Sequence, residues 1–122
     1  MNQIFIVGLG GFLGAVARYQ LSGLVLHRTT AWKFPLSTLG VNVLGCLILG
    51  ILAGLIEKHD FFNPSTRLFL ITGILGGFTT FSAFSFETVY LLQRHDFLWA
   101  ALYIFLSVFM GIAALWLGIK IQ

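Results

Sequence analysis

The segment that decides the architecture of this chain is Gly73-Ile74-Leu75-Gly76-Gly77-Phe78-Thr79-Thr80-Phe81-Ser82-Ala83-Phe84-Ser85. It places three glycines, two threonines and two serines in the middle of the apolar stretch 68–92. Because glycine and β-branched threonine are poor helix formers, we predict a helix break between Gly76 and Thr80. Free carbonyl oxygens at such a break would suit a hard cation. The alternative is a continuous helix that packs closely through its glycines.

The composition of the whole chain excludes a water-soluble domain. Of its 122 residues, 58% are hydrophobic and 9% are charged, whereas ordinary soluble domains have about 45–50% and about 25%. A helix of about 20 apolar residues crosses the hydrocarbon core of a bilayer. We therefore predict an all-α membrane protein, a single domain over residues 1–122 with four transmembrane helices at about 4–26, 36–56, 68–92 and 97–119. No Lys or Arg precedes the first apolar run, so we interpret it as a span and not as a signal peptide.

The basic residues of the short loops are balanced across the membrane. Each side carries three of them: Lys58, Arg67 and Lys120 on the side of the termini, and Arg28, Lys33 and Arg94 on the other. Because the Lys and Arg count of short loops sets orientation, the chain is predicted to insert both ways up, unless the N-terminal amine or another signal tips it one way. The basic residues do not cluster, so we expect no nucleic-acid binding.

Polar side chains inside the spans lie in one half of the bilayer. Counted inward from the nearer end of each span, at about 1.5 Å of rise per residue, most of them lie about five to ten residues deep in the membrane. Thr38 lies about one helical turn closer to the membrane surface. These polar side chains are Arg18, Thr38, Asn42, Glu87, Tyr103 and Ser107. Intramembrane polar groups are costly, which makes each a functional candidate. Alternatively, Arg18 and Glu87 snorkel to the headgroups, and Asn42 only joins helices.

This one-sided polar layer gives a single copy a vestibule that stops near the midplane. A second copy packed upside down would extend the path from the other side. Together with the balanced loop charge, this predicts an antiparallel, dual-topology homodimer. Small-residue pairs at Gly10 and Gly14, Gly50 and Gly54, and Gly73 and Gly77 predict close helix packing and self-association.

Phenylalanines in the third span add a further candidate feature. Phe78, Phe81 and Phe84 recur every three residues, which would place them on one helix face. Such a stripe is commonly core, but the positive edge of a phenyl ring beside Asn and Ser donors can hold a small anion weakly. Weak binding is what conduction requires. No catalytic cluster is visible, so we predict that the chain is not an enzyme.

These motifs together resemble the fluoride channel family known as Fluc or CrcB. The resemblance covers nearly the whole chain and rests on residues 14–19, 35–42 and above all 76–85. It implies a passive fluoride-exporting channel of the bacterial inner or plasma membrane, built as a dual-topology homodimer with two fluoride pathways. The chain departs from the family pattern at Phe78, Ala83 and Gly111.

The resemblance also implies roles for individual residues. The fluoride pathway residues would be Phe81 and Phe84 at its walls, Asn42 as pore donor, Thr38, Tyr103 and Ser107 as a polar track, Arg18 in the vestibule and Glu87 at an acidic position. A structural sodium ion (Na+) would lie at the dimer centre, held by the backbone carbonyls of Gly76 and Thr79 of each copy. Two other functions stay open: a proton-coupled exporter of the small multidrug type, and an assembly subunit without transport. The exporter would need a buried carboxylate in the first span, where this chain has Arg18.

Overall fold

The computed structural model describes residues 2–29, 34–60 and 62–121, without side-chain detail for residues 25–29. Of the loop charges counted above, Lys33 and the side chain of Arg28 therefore lie outside the described residues. The described chain is helical throughout, apart from short connections.

Four spans of the described chain are long and apolar enough to cross a membrane. Three of them are single helices: α1 (Gln3–Thr29), α2 (Leu36–His59) and α6 (Phe97–Lys120). The third span is assembled from four pieces: α3 (Pro64–Arg67), the π-helical segment π1 (Leu68–Leu75), α4 (Gly76–Phe78) and α5 (Phe81–Gln93). The predicted all-helical, four-span architecture is confirmed.

The third span breaks at Thr79 and Thr80, inside the predicted interval. Both residues have extended backbone, with φ/ψ of −89°/156° and −151°/120°. The Thr80 hydroxyl then accepts a hydrogen bond from the Ala83 N–H at 3.1 Å and caps α5. Threonine is a good N-cap because its side-chain oxygen satisfies a free N–H of the first turn. The π-helical geometry of π1, just before the break, was not predicted.

Glycines bring α1 and the third span into backbone contact. A Cβ added at Gly10 would lie 2.7 Å from the Phe69 carbonyl oxygen, and one at Gly73 would lie 2.9 Å from the Gly10 Cα. A Cβ at Gly14 would overlap the carbonyl of Ile74. The predicted glycine pairs of the first and third spans therefore pack against each other within one chain. This contact sets the position of α1 relative to the break.

Glycines also bring the second and fourth spans into backbone contact. A Cβ at Gly50 would overlap the Leu115 carbonyl, and one at Gly118 would lie 2.6 Å from the Leu47 carbonyl oxygen. A small buried cluster of Leu39, Leu91, Ala100 and Tyr103 joins α2, α5 and α6. The chain thus holds its polar side chains between two closely packed helix pairs.

The substitution Gly14→Ala should destabilise the fold, because its methyl group would meet the Ile74 backbone, which cannot move aside as a flexible side chain can. We expect the free energy of unfolding in detergent micelles to fall by about 1–3 kcal/mol, the usual cost of overpacking. Gly8→Ala is the matched control, since nothing lies within 4 Å of its added Cβ. An equal loss in both variants would contradict the backbone contact.

Candidate functional site

Asn42 of α2 forms hydrogen bonds with both backbone polar groups of the extended residue Thr80. The Asn42 Nδ2 donates to the Thr80 carbonyl at 3.0 Å, and the Thr80 N–H donates to the Asn42 Oδ1 at 2.8 Å. The amide thereby replaces the backbone partners that a continuous helix would supply. One of the two Nδ2 hydrogens is used in this way, so the second can still reach a ligand.

Arg18 binds the break from the side of α1. Its Nε donates to the Gly77 carbonyl at 3.2 Å, near the C-terminal end of α4. Cationic donors are favourable there, because the last carbonyls of a helix lack partners and carry partial negative charge. In this structure Arg18 is half-buried and bound to the break, which differs from simple snorkelling to the headgroups.

A cavity of about 370 Å³ opens beside the break. It brings together six of the residues predicted from the sequence: Asn42, Gly76, Thr79, Phe81, Phe84 and Ser107. The Ser107 Oγ is buried and has no hydrogen-bond partner among the described residues. Its hydroxyl hydrogen is therefore available to a ligand in the cavity.

Glu87 lies outside this cavity and is held by two hydroxyl groups. Thr38 Oγ1 donates to Glu87 Oε2 at 2.9 Å, and Tyr103 Oη donates to Glu87 Oε1 at 2.8 Å. Thr38 and Tyr103 are buried, with 7% and 0% of their surface exposed. We call this group the Glu87 cluster. Because both hydroxyl hydrogens point to Glu87, neither Thr38 nor Tyr103 donates into the cavity in this conformation, and Glu87 is bound internally.

The ring of Phe84 connects the cavity with the Glu87 cluster. Its centroid lies 5.1 Å from the Tyr103 ring and 5.5 Å from the Phe81 ring. Phe81 is 78% exposed on the single chain. Phe78 does not continue this aromatic face, contrary to the expectation from its spacing. It precedes the break, which resets the helical register, and it is buried near Gly45.

Two residues of the site were missed by the sequence analysis. Thr80 supplies the N-cap of α5 and the backbone N–H and carbonyl that Asn42 bonds, and Gly77 supplies the carbonyl that Arg18 binds. The position of Thr80 directly before the apolar residue Phe81, which begins α5, is a recognisable N-cap signal. Nothing in the sequence indicates that the Gly77 carbonyl, and not a neighbouring one, is the partner of Arg18.

Backbone oxygens at the break fit a hard cation. In a continuous helix the Thr80 N–H would donate to the Gly76 carbonyl, but here it donates to Asn42. Thr79 lies outside the helices, and no described backbone N–H outside the helices donates to its carbonyl. Within the part of the chain that the structure describes, no group of three or more His, Cys, Asp and Glu side chains could hold a metal. Backbone carbonyl oxygens are therefore the groups that could bind a cation at this site.

The substitution Tyr103→Phe tests the Glu87 cluster, since it removes one hydroxyl donor and keeps the ring contacts with Phe84 and Phe34. Loss of a hydrogen bond to a charged group should lower the free energy of unfolding by about 1–3 kcal/mol. Tyr90→Phe is the control, because the Tyr90 hydroxyl is exposed and accepts only a 3.5 Å contact from Arg94. Equal stability of the two variants in chemical unfolding would count against the cluster.

Comparisons with known proteins identify the family of this chain. Residues 5–119 match the family described as CrcB-like protein, Camphor Resistance (CrcB). A protein of Methylobacillus flagellatus named fluoride-specific ion channel FluC is 49% identical over 121 residues, which cover 99% of this chain and 94% of that protein. Proteins of the same name from Flavobacterium psychrophilum (48% identical, 99% and 97% covered) and Rhizobium etli (43% identical, 100% and 97% covered) are also similar. The chain belongs to the CrcB family.

Proposed function

We propose that this CrcB-family chain is a passive fluoride-selective channel, which exports fluoride across the bacterial membrane and lowers its cytoplasmic concentration. Relatives that match nearly the whole length of the chain are named fluoride-specific ion channels. The chain is accordingly a multi-pass membrane protein and a channel, not an enzyme. The observation that supports this most directly is the cavity at the break, where Asn42, Ser107 and two phenylalanines converge.

Fluoride is small and strongly hydrated, so a channel must offer short-reach donors in exchange for water. The second amide hydrogen of Asn42 and the unpartnered hydroxyl of Ser107 are such donors. The edges of the Phe81 and Phe84 rings add weak positive potential without a full charge. The N-terminal end of α5 lies at the same break and favours negative charge. Together these groups bind an anion weakly enough to release it.

The remaining polar residues have supporting roles in this proposal. Thr38 and Tyr103 direct their hydroxyl hydrogens to Glu87, so they shape the pathway through the Glu87 cluster and across the Phe84 ring. Arg18 adds positive potential that raises the local anion concentration at the vestibule. In this assignment Asn42, Phe81, Phe84 and Ser107 face the ion directly.

A second copy, packed in the inverted orientation, completes the channel. On the single chain Gly76, Phe81 and Ser82 are exposed beside the extended residues of the break. Irregular backbone at membrane depth cannot face lipid, because lipid offers no hydrogen-bond partner, so protein must cover this surface. The balance of basic residues in the loops allows the chain to insert both ways up, which supports an antiparallel homodimer with two pathways.

A structural sodium ion at the dimer centre fits the backbone of the break. The Gly76 and Thr79 carbonyls of each copy would hold it. When bound, the ion supplies positive charge that joins the two copies and lowers the cost of an anion nearby. The chain's part is to keep these two carbonyls out of helical hydrogen bonds.

Fluoride efflux from liposomes that contain the purified protein tests the channel function. Phe81→Ile and Phe84→Ile should each reduce the efflux rate about tenfold or more, equivalent to about 1.4 kcal/mol of barrier, because an aliphatic side chain has no positive ring edge. Phe86→Ile is the control, since Phe86 lies on the same helix, is 75% exposed and does not line the cavity.

The efflux experiment also separates the alternative functions. Fluoride escape without a proton gradient supports a passive channel, whereas gradient-driven movement of organic cations would indicate an exporter. Undiminished efflux in both phenylalanine variants would show that the two rings do not contribute to the fluoride pathway. No efflux from any sample would favour an assembly subunit.

Cysteine labelling tests the dual topology. In a Cys46→Ala background, a single cysteine introduced as Ile121→Cys, which leaves the loop charges unchanged, should react with a membrane-impermeant thiol reagent in about half of the molecules in intact cells, since balanced loop charge sets no preferred orientation. Permeabilised cells should give full labelling and serve as the control. Complete or absent labelling in intact cells would mean a single orientation and would refute the antiparallel dimer.

A further inference from the structure

At the break, two hydrogen bonds to side chains replace two main-chain hydrogen bonds. In a continuous helix the Thr80 N–H would bond to the Gly76 carbonyl, and the Phe81 N–H would bond to the Gly77 carbonyl. Here the Thr80 N–H donates to Asn42 Oδ1 at 2.8 Å, and the Gly77 carbonyl accepts from Arg18 Nε at 3.2 Å. One side chain captures a donor of the interrupted helix, and the other captures an acceptor.

We infer that Arg18 and Asn42 are positioning residues that keep the break open, and that Arg18 does this through its Nε–H hydrogen bond and not through its charge. Arg18 holds the Gly77 carbonyl, while Asn42 frees the Gly76 carbonyl by taking its N–H partner. The carbonyls of Gly76 and Thr79 then remain for the cation. This inference rests on the cation site proposed above.

The packing explains why these two side chains can hold the break. Arg18 lies about one turn after Gly14 on α1, and Gly14 is in direct backbone contact with Ile74 of the third span. α1 therefore cannot slide along the third span without a steric clash. Asn42 projects from α2, a different helix, and contacts both the N–H and the carbonyl of Thr80. The extended residues are thus held from two separate helices.

Loss of either side-chain bond favours closure of the helix. A backbone group without a partner at membrane depth is costly, so the Gly77 carbonyl would recover the Phe81 N–H, or the Thr80 N–H would recover the Gly76 carbonyl. Either change brings Thr79 and Thr80 towards helical geometry. The carbonyls that suit a cation would then be engaged within the helix.

Two neutral substitutions separate the hydrogen bond of Arg18 from its charge. Arg18→Gln places an amide nitrogen the same number of bonds from the backbone as the arginine Nε, so a donor to Gly77 is kept. Arg18→Met places a methyl carbon there and provides no donor. Both variants lack the positive charge, and loss of that charge alone would strengthen the binding of a cation.

The experiment measures binding of ²²Na+, competed by unlabelled Na+, to the purified full-length protein without fluoride. We expect the half-saturating Na+ concentration of Arg18→Gln to stay within about threefold of wild type, and that of Arg18→Met to rise about tenfold or more, because Arg18→Met leaves the Gly77 carbonyl without its side-chain donor. Equal values for the two variants, or tighter binding by Arg18→Met, would overturn the inference.

Asn42→Leu gives a second test that does not depend on the stability of the Arg18 variants. It removes the acceptor of the Thr80 N–H without a change of charge, so this N–H can return to the Gly76 carbonyl. Electrostatics alone predicts unchanged Na+ binding, whereas the positioning role predicts weaker binding by about tenfold. Unchanged or tighter binding would refute the role of Asn42.

Wild-type efflux distinguishes failure of this inference from failure of the proposed function. Wild-type protein that releases fluoride from liposomes but binds no ²²Na+ would overturn the inference and leave the channel function in place. Wild-type protein without fluoride efflux would overturn the proposed function itself.

Discussion

A backbone N–H or carbonyl finds no water in the hydrocarbon core, so each one must be bonded inside the protein. The helical hydrogen bonds of the third span are interrupted at Thr79 and Thr80, and side chains bond several of the released backbone groups. Asn42 bonds the backbone N–H and carbonyl of Thr80, the Thr80 hydroxyl caps α5, and Arg18 donates to the Gly77 carbonyl. The surface that remains exposed beside the break is the basis for the proposed inverted second copy.

The glycine contacts fix the positions of the side chains that form these hydrogen bonds. Gly10 and Gly14 allow the backbones of α1 and the third span to touch, which places Arg18 at a defined height beside the break. Gly50 and Gly118 bring α2 and α6 together in the same way, and α2 carries Asn42. A pathway that must distinguish a small ion needs donors at fixed distances, and close backbone packing provides a rigid frame for them.

The polar layer is divided into two parts with different chemistry. In the cavity, Ser107 and the second hydrogen of the Asn42 amide are unsatisfied donors that suit an anion. In the Glu87 cluster, the donors of Thr38 and Tyr103 are already used by a carboxylate. The Phe84 ring lies between the two parts.

The membrane location, the four spans and the break between Gly76 and Thr80 follow from the sequence alone, because apolar length and helix propensity are local properties. The intramembrane polar residues could also be identified there, since depth depends only on helical rise. The tertiary structure decided which group bonds to which: that Arg18 binds Gly77, that Glu87 receives two hydroxyls, and that Phe78 leaves the aromatic face. These pairings depend on how the helices rotate and approach, and that is set by glycine contacts between residues distant in the chain.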